Sequence, residues 1–263
     1  MGSKTMCTFV ILRRPSHPWP VLLAANRDEM ANRPWLPPGR HWADRSDVVA
    51  GLDELAGGTW LGINDDGVVA AVLNRINTLG PAPGMRSRGE LPLEALDFGD
   101  ARSAADALAH LNPRAYRPFN MVVVDSREGF WIRCVHDDDA SAGGNGRIDV
   151  GELPPGLSML TAYDLNDAGS PRIRRYLPRF AAAAAPDPET GDWGEWLALL
   201  GDKSHEPAAG PGGAMRIVTE TGFGTVSSTL IALPASGRDA APLWLFAAGP
   251  PGIAPYNPVP LAQ

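Results

Sequence analysis

A cysteine near the start of the chain, Cys7, is followed downstream by a polar run whose side chains could act on a thiol. The run is Asn26-Arg27-Asp28-Glu29, and it ends an otherwise apolar stretch. A thiol becomes a nucleophile when its pKa falls, and a neighbouring arginine favours the thiolate. These residue types therefore favour nucleophilic chemistry at Cys7. The alternative is that Cys7 fills an apolar core, where free cysteines usually lie.

The residue before Cys7 is Met6, which offers a second start for translation. Removal of that methionine would make Cys7 the first residue of the chain. An N-terminal α-amine has a pKa of about 7.7–8.0 and can act as general base for its own side chain. While residues 1–5 precede Met6, Cys7 lacks that amine, so this chemistry depends on processing of the chain.

Two short strands should bring the thiol and the polar run together. Residues 7–12 and 21–25 are apolar and rich in strand formers, and the connection over 15–20 is too rich in proline to continue either strand. An antiparallel hairpin centred near His17 pairs residues whose numbers sum to about 34, which places Cys7 opposite Arg27.

A second hairpin is predicted over residues 58–63 and 68–73, with Asn64-Asp65-Asp66-Gly67 as its turn. Paired numbers there sum to about 131, so Asn74 lies opposite the Gly57-Gly58 pair. The remaining predicted elements are a hairpin of 119–125 with 130–135, a polar loop over 137–147, helices over 89–98, 101–111 and 193–200, a helix capped by Ser170 that Pro178 kinks or splits, and strands over 215–219, 225–233 and 243–247.

Runs of hairpins separated by runs of helices indicate the α+β class, with antiparallel sheets flanked by helices. The chain has 263 residues and shows no composition break that would mark a linker. We expect a single domain over residues 1–263, with 1–5 as an upstream extension and 250–263 as an irregular tail.

The composition excludes several classes of protein. A net charge of −7 does not suggest a nucleic-acid partner, and we expect the densest basic run, Arg172-Ile173-Arg174-Arg175, to lie on an exposed helix face. No apolar stretch reaches the ~18 residues needed to span a bilayer. The apolar run after Met6 is short and is followed by arginines, the reverse of a secretory signal. We expect a cytoplasmic protein without a membrane span.

Several blocks of the sequence resemble the NRDE family, which includes the transport-and-Golgi-organisation-2 proteins. The blocks are Met6-Cys7-Thr8, Asn26-Arg27-Asp28-Glu29 with Arg33-Pro34, Ala56-Gly57-Gly58-Thr59-Trp60-Leu61-Gly62, Ser87-Arg88-Gly89 and Gly224-Thr225-Val226-Ser227-Ser228-Thr229. That family is in turn similar to the N-terminal-nucleophile (Ntn) hydrolases, especially the cysteine amidases that cleave bile-salt and penicillin amides. The resemblance implies a four-layer αββα sandwich of antiparallel sheets flanked by helices.

The resemblance also implies roles for individual residues. Cys7 would be the nucleophile, Asp28 would orient the amine and the thiol, and Asn74 would donate its amide N–H to the oxyanion. The residues expected to bind ligand are Asn26, Arg27, Glu29, Trp60 and Arg88. Two positions depart from the family pattern: Val226 stands where many members carry arginine, and Met159 stands where an asparagine is common.

Two functions follow from these residues. The first is intracellular binding and trafficking of a small amphiphilic ligand, either haem, which is the leading candidate, or an acyl compound. The second is a Cys7-dependent amide hydrolase or acyltransferase. Haem would be bound cargo and not a required cofactor, and its iron would need an axial ligand, for which Cys7, His17 and His41 are candidates.

Overall fold

The computed structural model describes residues 7–136 and 146–261. Its strands in this part of the chain are β1 (Thr8–Arg13), β2 (Val21–Met30), β3 (Trp35–Gly39), β4 (Val48–Asp53), β5 (Leu61–Asn64), β6 (Val69–Asn74), β7 (Phe119–Val124), β8 (Gly129–His136), β9 (Gly146–Glu152), β10 (Gly156–Leu160), β11 (Phe223–Leu233), β12 (Leu243–Ala247) and β13 (Tyr256–Pro258). Its α-helices there are α1 (Leu91–Leu96), α2 (Ala101–Leu108), α3 (Pro171–Ala182) and α4 (Glu195–Leu200).

The described residues form two compact units, one of residues 7–33 and 154–261 and the other of residues 34–153. The first unit holds a six-stranded sheet of order β10-β1-β2-β11-β12-β13, and the second a seven-stranded sheet of order β3-β4-β5-β6-β7-β8-β9. Neighbouring strands are antiparallel in both. The predicted α+β class is therefore confirmed, whereas the expectation of a single domain stays a prediction.

In the first unit, β1 and β2 pair in the predicted register. Thr8 lies opposite Asn26 and Arg13 opposite Val21, so the paired numbers sum to 34. The helices α3 and α4 contribute apolar side chains to a core that they share with the sheet; its large members are Trp19, Leu22, Ile173, Tyr176, Phe180, Trp193, Trp196 and Leu230. Extended by one residue, this register puts Cys7, which precedes β1, opposite Arg27 near the end of β2.

Helix α3 begins as predicted but does not split at its proline. The Ser170 side chain accepts a hydrogen bond from the Ile173 N–H, and Pro171 occupies the first turn. The helix continues through Pro178 to Ala182. Packing outweighs the lost hydrogen bond, because Ile173, Tyr176 and Phe180 bury one face on both sides of the proline.

In the second unit, the predicted register of the β5–β6 hairpin is wrong by one residue. Leu61 lies opposite Ala71, so the paired numbers sum to 132 instead of about 131. The Asn64 N–H also bonds to the Val68 carbonyl at 3.1 Å, which leaves a three-residue loop. Gly67 closes this loop in the left-handed region, with φ of +83°, as three-residue hairpin loops require.

The rest of the prediction differs from the structure mainly at short strands. The strands β3, β4, β9, β10 and β13 were not predicted, and β13 lies in the tail that we expected to be irregular. The predicted strand over 215–219 is wrong, because only an isolated bridge between Val218 and Gly224 forms there. Most of the predicted loop over 137–147 lies outside the described residues, as does the expected extension over 1–5. No helix in the described ranges is long and apolar enough to cross a bilayer.

Candidate functional site

The structure places Cys7 directly before β1, where its sulfur forms hydrogen bonds with the main chain of Asp28. The Asp28 N–H donates to Sγ across 3.4 Å, and the thiol lies 3.8 Å from the Asp28 carbonyl oxygen. Both cysteines of the chain, Cys7 and Cys134, lie among the described residues and are free thiols. The hairpin therefore brings together the thiol and the carboxylate residue that the sequence suggested.

The carboxylate of Asp28 is buried and bonded at both oxygens. Its Oδ2 lies 3.0 Å from Nη1 of Arg172, and its Oδ1 accepts a hydrogen bond of 2.6 Å from the Thr225 hydroxyl. The Thr225 oxygen in turn accepts from the Ile217 N–H at 2.8 Å. Because that N–H uses the hydroxyl as an acceptor, the hydroxyl hydrogen points to Asp28.

A β-bulge in β11 places this threonine. Thr225 lies opposite Asp28 and Ser227 lies opposite Arg27, so Val226 is the extra residue between them. A bulge re-aims neighbouring side chains and often lies beside a functional site. The position where the family resemblance would place an arginine is thus the bulged residue itself.

The buried cation beside Asp28 comes from a residue that sequence reasoning placed wrongly. We expected Arg172 on an exposed helix face, but its side chain is only 3 % exposed. Arg172 lies one turn before Tyr176 and next to Ile173, so helical periodicity puts it on the buried face of α3. That spacing was the signal available in the sequence.

The electrostatic environment keeps the Cys7 thiol protonated. Burial and the nearby charge of Asp28 raise the pKa of Cys7 to about 11, although the Asp28 N–H and Arg27 act in the opposite direction. Arg27 thus favours the thiolate as expected, but burial and the charge of Asp28 outweigh its effect on the pKa of Cys7. Burial also raises the pKa of Asp28, and Arg172 and Thr225 oppose that rise.

The other members of the polar run, Asn26, Arg27 and Glu29, differ in their contacts and exposure. The Asn26 side-chain amide donates to the carbonyls of Leu200 and Met215 at 3.0 and 2.9 Å, and its oxygen accepts from Ser228. These bonds connect β2 to the last residue of α4, to the segment around Met215 and to the neighbouring strand β11. Arg27 is 6 % exposed. Glu29 is half-buried and forms an ion pair of 3.7 Å with Arg33.

Three predicted site residues belong to the second unit. Asn74 is the half-buried last residue of β6 and lies opposite Phe119. Trp60 packs edge-to-face on Trp35, with ring centroids 5.8 Å apart. Arg88 donates to the Thr78 hydroxyl oxygen at 3.0 Å and to the carbonyls of Pro118 and Gly80 at 3.1 and 3.3 Å. The roles of Asn74, Trp60 and Arg88 stay predictions.

Two glycine-containing blocks of the sequence meet in this unit. The Thr59 N–H donates to the Gly89 carbonyl at 2.8 Å. A Cβ on Gly58 would lie 2.4 Å from that same carbonyl group. The close approach therefore requires glycine at position 58 and holds the segment of Arg88 against the start of β5.

Among the described residues, no group of three or more His, Cys, Asp or Glu side chains is placed to hold a metal ion. Of the candidate axial ligands, His17 lies in the β1–β2 connection, where its Nδ1 accepts from the Trp19 N–H at 3.0 Å. Cys7 lies at the opposite end of β1, about 20 Å away at ~3.3 Å per residue. One haem iron cannot bind both.

Comparison with known proteins places these residues in context. The sequence model of the family described as Transport and Golgi organisation 2 matches residues 6–238. The chain is 36 % identical over 113 residues to the Transport and Golgi organization 2 homolog of Mus musculus and 33 % identical over 117 residues to that of Homo sapiens. Each match covers 40 % of this chain and 38 % of the relative, so the chain matches well under half the length of these relatives.

A solved structure resembles the chain over most of its length. It is the Caenorhabditis elegans orthologue of N-acylethanolamine-hydrolyzing acid amidase, with a TM-score of 0.53 and 14 % identity. The match covers 86 % of this chain and 92 % of the amidase. Identity this low shows the fold alone, and that fold is the predicted one of the Ntn hydrolases.

Proposed function

Since this chain belongs to the Transport and Golgi organisation 2 family and has the fold of an Ntn hydrolase, we propose that Cys7 is the nucleophile of an amide-cleaving site. The observation that carries the proposal is that the Cys7 sulfur lies 3.4 Å from the main-chain N–H of Asp28, a residue whose side chain forms a buried ion pair with Arg172. The substrate class is a linear amide with an apolar acyl chain, in keeping with the acylethanolamine named for the amidase of similar fold.

The raised pKa of Cys7 decides what else the reaction needs. A thiol whose pKa is about 11 is almost wholly protonated at pH 7, so it needs a general base. The α-amine of Cys7 itself can be that base once the preceding residues are removed. We therefore propose that the active chain begins at Cys7.

The chemical steps follow from that arrangement. The α-amine takes the thiol proton, and Sγ attacks the amide carbon to form a C–S bond and an oxyanion. As the oxyanion collapses, the C–N bond breaks and the α-ammonium returns its proton to the leaving amine. Water then attacks the thioester carbon and gives a proton to the α-amine. As the C–S bond breaks, the α-ammonium passes that proton to the sulfur, which leaves a carboxylic acid, the free thiol and the neutral α-amine.

Turnover of a fluorogenic fatty-acyl amide of aminomethylcoumarin tests the proposal. The protein is expressed from Met6, and intact mass establishes whether it begins at Cys7. We expect turnover from the chain that begins at Cys7 and a loss of at least about 10³-fold in Cys7→Ala. Cys134→Ala, which removes the other thiol, should keep the rate. Absence of turnover from a chain proven to begin at Cys7 would refute the proposal.

One observation favours a non-catalytic alternative. At neutral pH the thiol is protonated and both Asp28 oxygens are bonded, so the site as described could bind an amphiphilic ligand without reacting with it. The ligand proposed for this alternative is haem, carried as cargo, with Cys7 as the axial ligand once iron displaces the thiol proton. A saturable shift of the Soret band that is lost in Cys7→Ala and kept in His17→Ala would support it. An unshifted band would exclude it.

A further inference from the structure

A single guanidinium contacts two residues that are linked to the Cys7 thiol. Arg172 Nη1 donates to the hydroxyl oxygen of Thr8, the residue that follows Cys7, and lies 3.0 Å from Oδ2 of Asp28. The main chain of Asp28 is what holds Sγ, through an N–H donated across 3.4 Å. Arg172 therefore joins Thr8, at the start of β1, to Asp28, whose main chain contacts the thiol.

The guanidinium is itself held in place. Its Nη2 donates to the Gly212 carbonyl at 3.2 Å, which adds a third contact to those with Thr8 and Asp28. Its helix is fixed in its first turn by the Ser170 cap and is anchored by the buried Tyr176. A planar guanidinium with several fixed donors can meet such a set of acceptors at once, which the single ammonium of lysine cannot.

We propose that Arg172 is a positioning residue for Cys7, acting by bridging Thr8 and Asp28 so that the thiol stays on the Asp28 main chain. The inference rests on the proposed role of Cys7 as a nucleophile. Since the bridge sets the position of the attacking atom, its loss should lower kcat and leave KM nearly unchanged. A thiol released from the Asp28 main chain should also become more accessible to an alkylating reagent.

Thr8→Val is the sharpest test, because it removes the hydroxyl from one end of the bridge and leaves the buried ion pair intact. The matched control is Thr229→Val, a buried threonine of the same sheet that lies opposite Ala25. We expect Thr8→Val to lower kcat by at least about tenfold with KM within about twofold. Thr8→Ser, which keeps the hydroxyl, should restore most of the loss.

A second readout does not depend on turnover. Iodoacetamide labelling is followed by mass spectrometry at Cys7 and at Cys134, which is fully buried in the second unit and reports on unfolding of that unit. Thr229→Val controls for unfolding of the first unit. We expect the ratio of Cys7 to Cys134 labelling to rise at least about threefold in Thr8→Val, and to stay at the wild-type value in Thr229→Val. Arg172→Lys should behave as Thr8→Val does, and it replaces that variant if Thr8→Val does not fold.

The outcomes separate this inference from the proposed function. Suppose that the wild-type chain cleaves the amide while Thr8→Val matches Thr229→Val in either kcat or labelling ratio. The positioning role of Arg172 is then refuted, and the role of Cys7 as nucleophile is retained. If the wild-type chain cleaves nothing, the proposed function fails, and the labelling ratio alone then supports or overturns the bridge.

Discussion

Arg172 and Asp28 form an ion pair in which Nη1 lies 3.0 Å from Oδ2 and the two side chains are 3 % and 0 % exposed. A buried charge that loses its partner is costly, because the low-dielectric surroundings no longer offset its lost hydration. The pair therefore matters for the stability of the first unit as well as for the environment of Cys7.

The first prediction concerns this ion pair. Arg172→Met should lower the free energy of unfolding by about 3–5 kcal/mol, since it leaves Asp28 buried without its counter-ion. Arg174→Met is the matched control, because Arg174 lies on the same helix and its ion pair with Glu206 is exposed; it should cost less than about 1 kcal/mol. Urea denaturation measures both. Equal losses in the two variants would contradict the importance of the buried pair.

The second prediction concerns the charge beside the thiol. Asp28→Asn removes the carboxylate that raises the pKa of Cys7 and leaves Arg27 and Arg172 in place, so that pKa should fall below about 11. At pH 8 we expect iodoacetamide to label Cys7 at least about threefold faster than in the wild-type chain. Labelling of Cys134 should not change, which controls for unfolding of the second unit. Circular dichroism checks that the variant keeps its secondary structure. A slower or unchanged rate at Cys7 would count against the assigned electrostatic effect.

The third prediction links the thiol to the pH dependence of stability. The pKa of folded Cys7, about 11, lies above the ordinary thiol value of 9.0, so the folded state holds this proton more tightly than the unfolded state does. The resulting stabilisation is complete below about pH 9 and is lost as the pH rises towards 11. The free energy of unfolding should therefore fall less steeply over this range in Cys7→Ala than in the wild-type chain. Parallel curves from urea denaturation would contradict the shift.

The hairpin that holds Cys7 could be predicted from the sequence because local chemistry determines it. The prolines between residues 15 and 20 end both strands, and a hairpin centred near His17 has the register that pairs Thr8 with Asn26. The Asn64–Gly67 turn was harder to predict, because the same residues allow a loop of three or of four residues. That choice alone moved the position opposite Asn74 by one residue.

Helical spacing puts Arg172 on the buried face of α3, but spacing alone does not show what its charge would pair with. An arginine on an amphipathic helix usually lies at the surface, and only the location of Asp28 across the unit makes burial of Arg172 favourable. The bulge at Val226 is likewise invisible to strand periodicity, because the extra residue is defined by its partners in β2. The thiol and the carboxylate of the site could therefore be predicted from the sequence, whereas Arg172 and the bulge depend on long-range contacts that only the structure shows.

The fourth prediction concerns the contact between Gly58 and Gly89. Gly58→Ala places a Cβ 2.4 Å from the Gly89 carbonyl, where only backbone could move, and should cost about 1–3 kcal/mol of unfolding free energy. Gly151→Ala is the matched control, because a Cβ there meets nothing within 4 Å. It should change stability by less than about 0.5 kcal/mol. Similar values for the two variants in urea denaturation would contradict the prediction, because they would mean that the backbone around Gly89 moves aside at little cost.

Mass spectrometry of the acyl-enzyme tests the central claim, that Cys7 is a nucleophile, most directly. The chain beginning at Cys7 is mixed with the fatty-acyl coumarin amide and quenched in acid, and its peptides are then analysed. We predict one acyl group, carried as a thioester on the peptide that begins with Cys7, and none on the peptide that contains Cys134. An unmodified Cys7 peptide, or an acyl group that persists in Cys7→Ala, would contradict the claim.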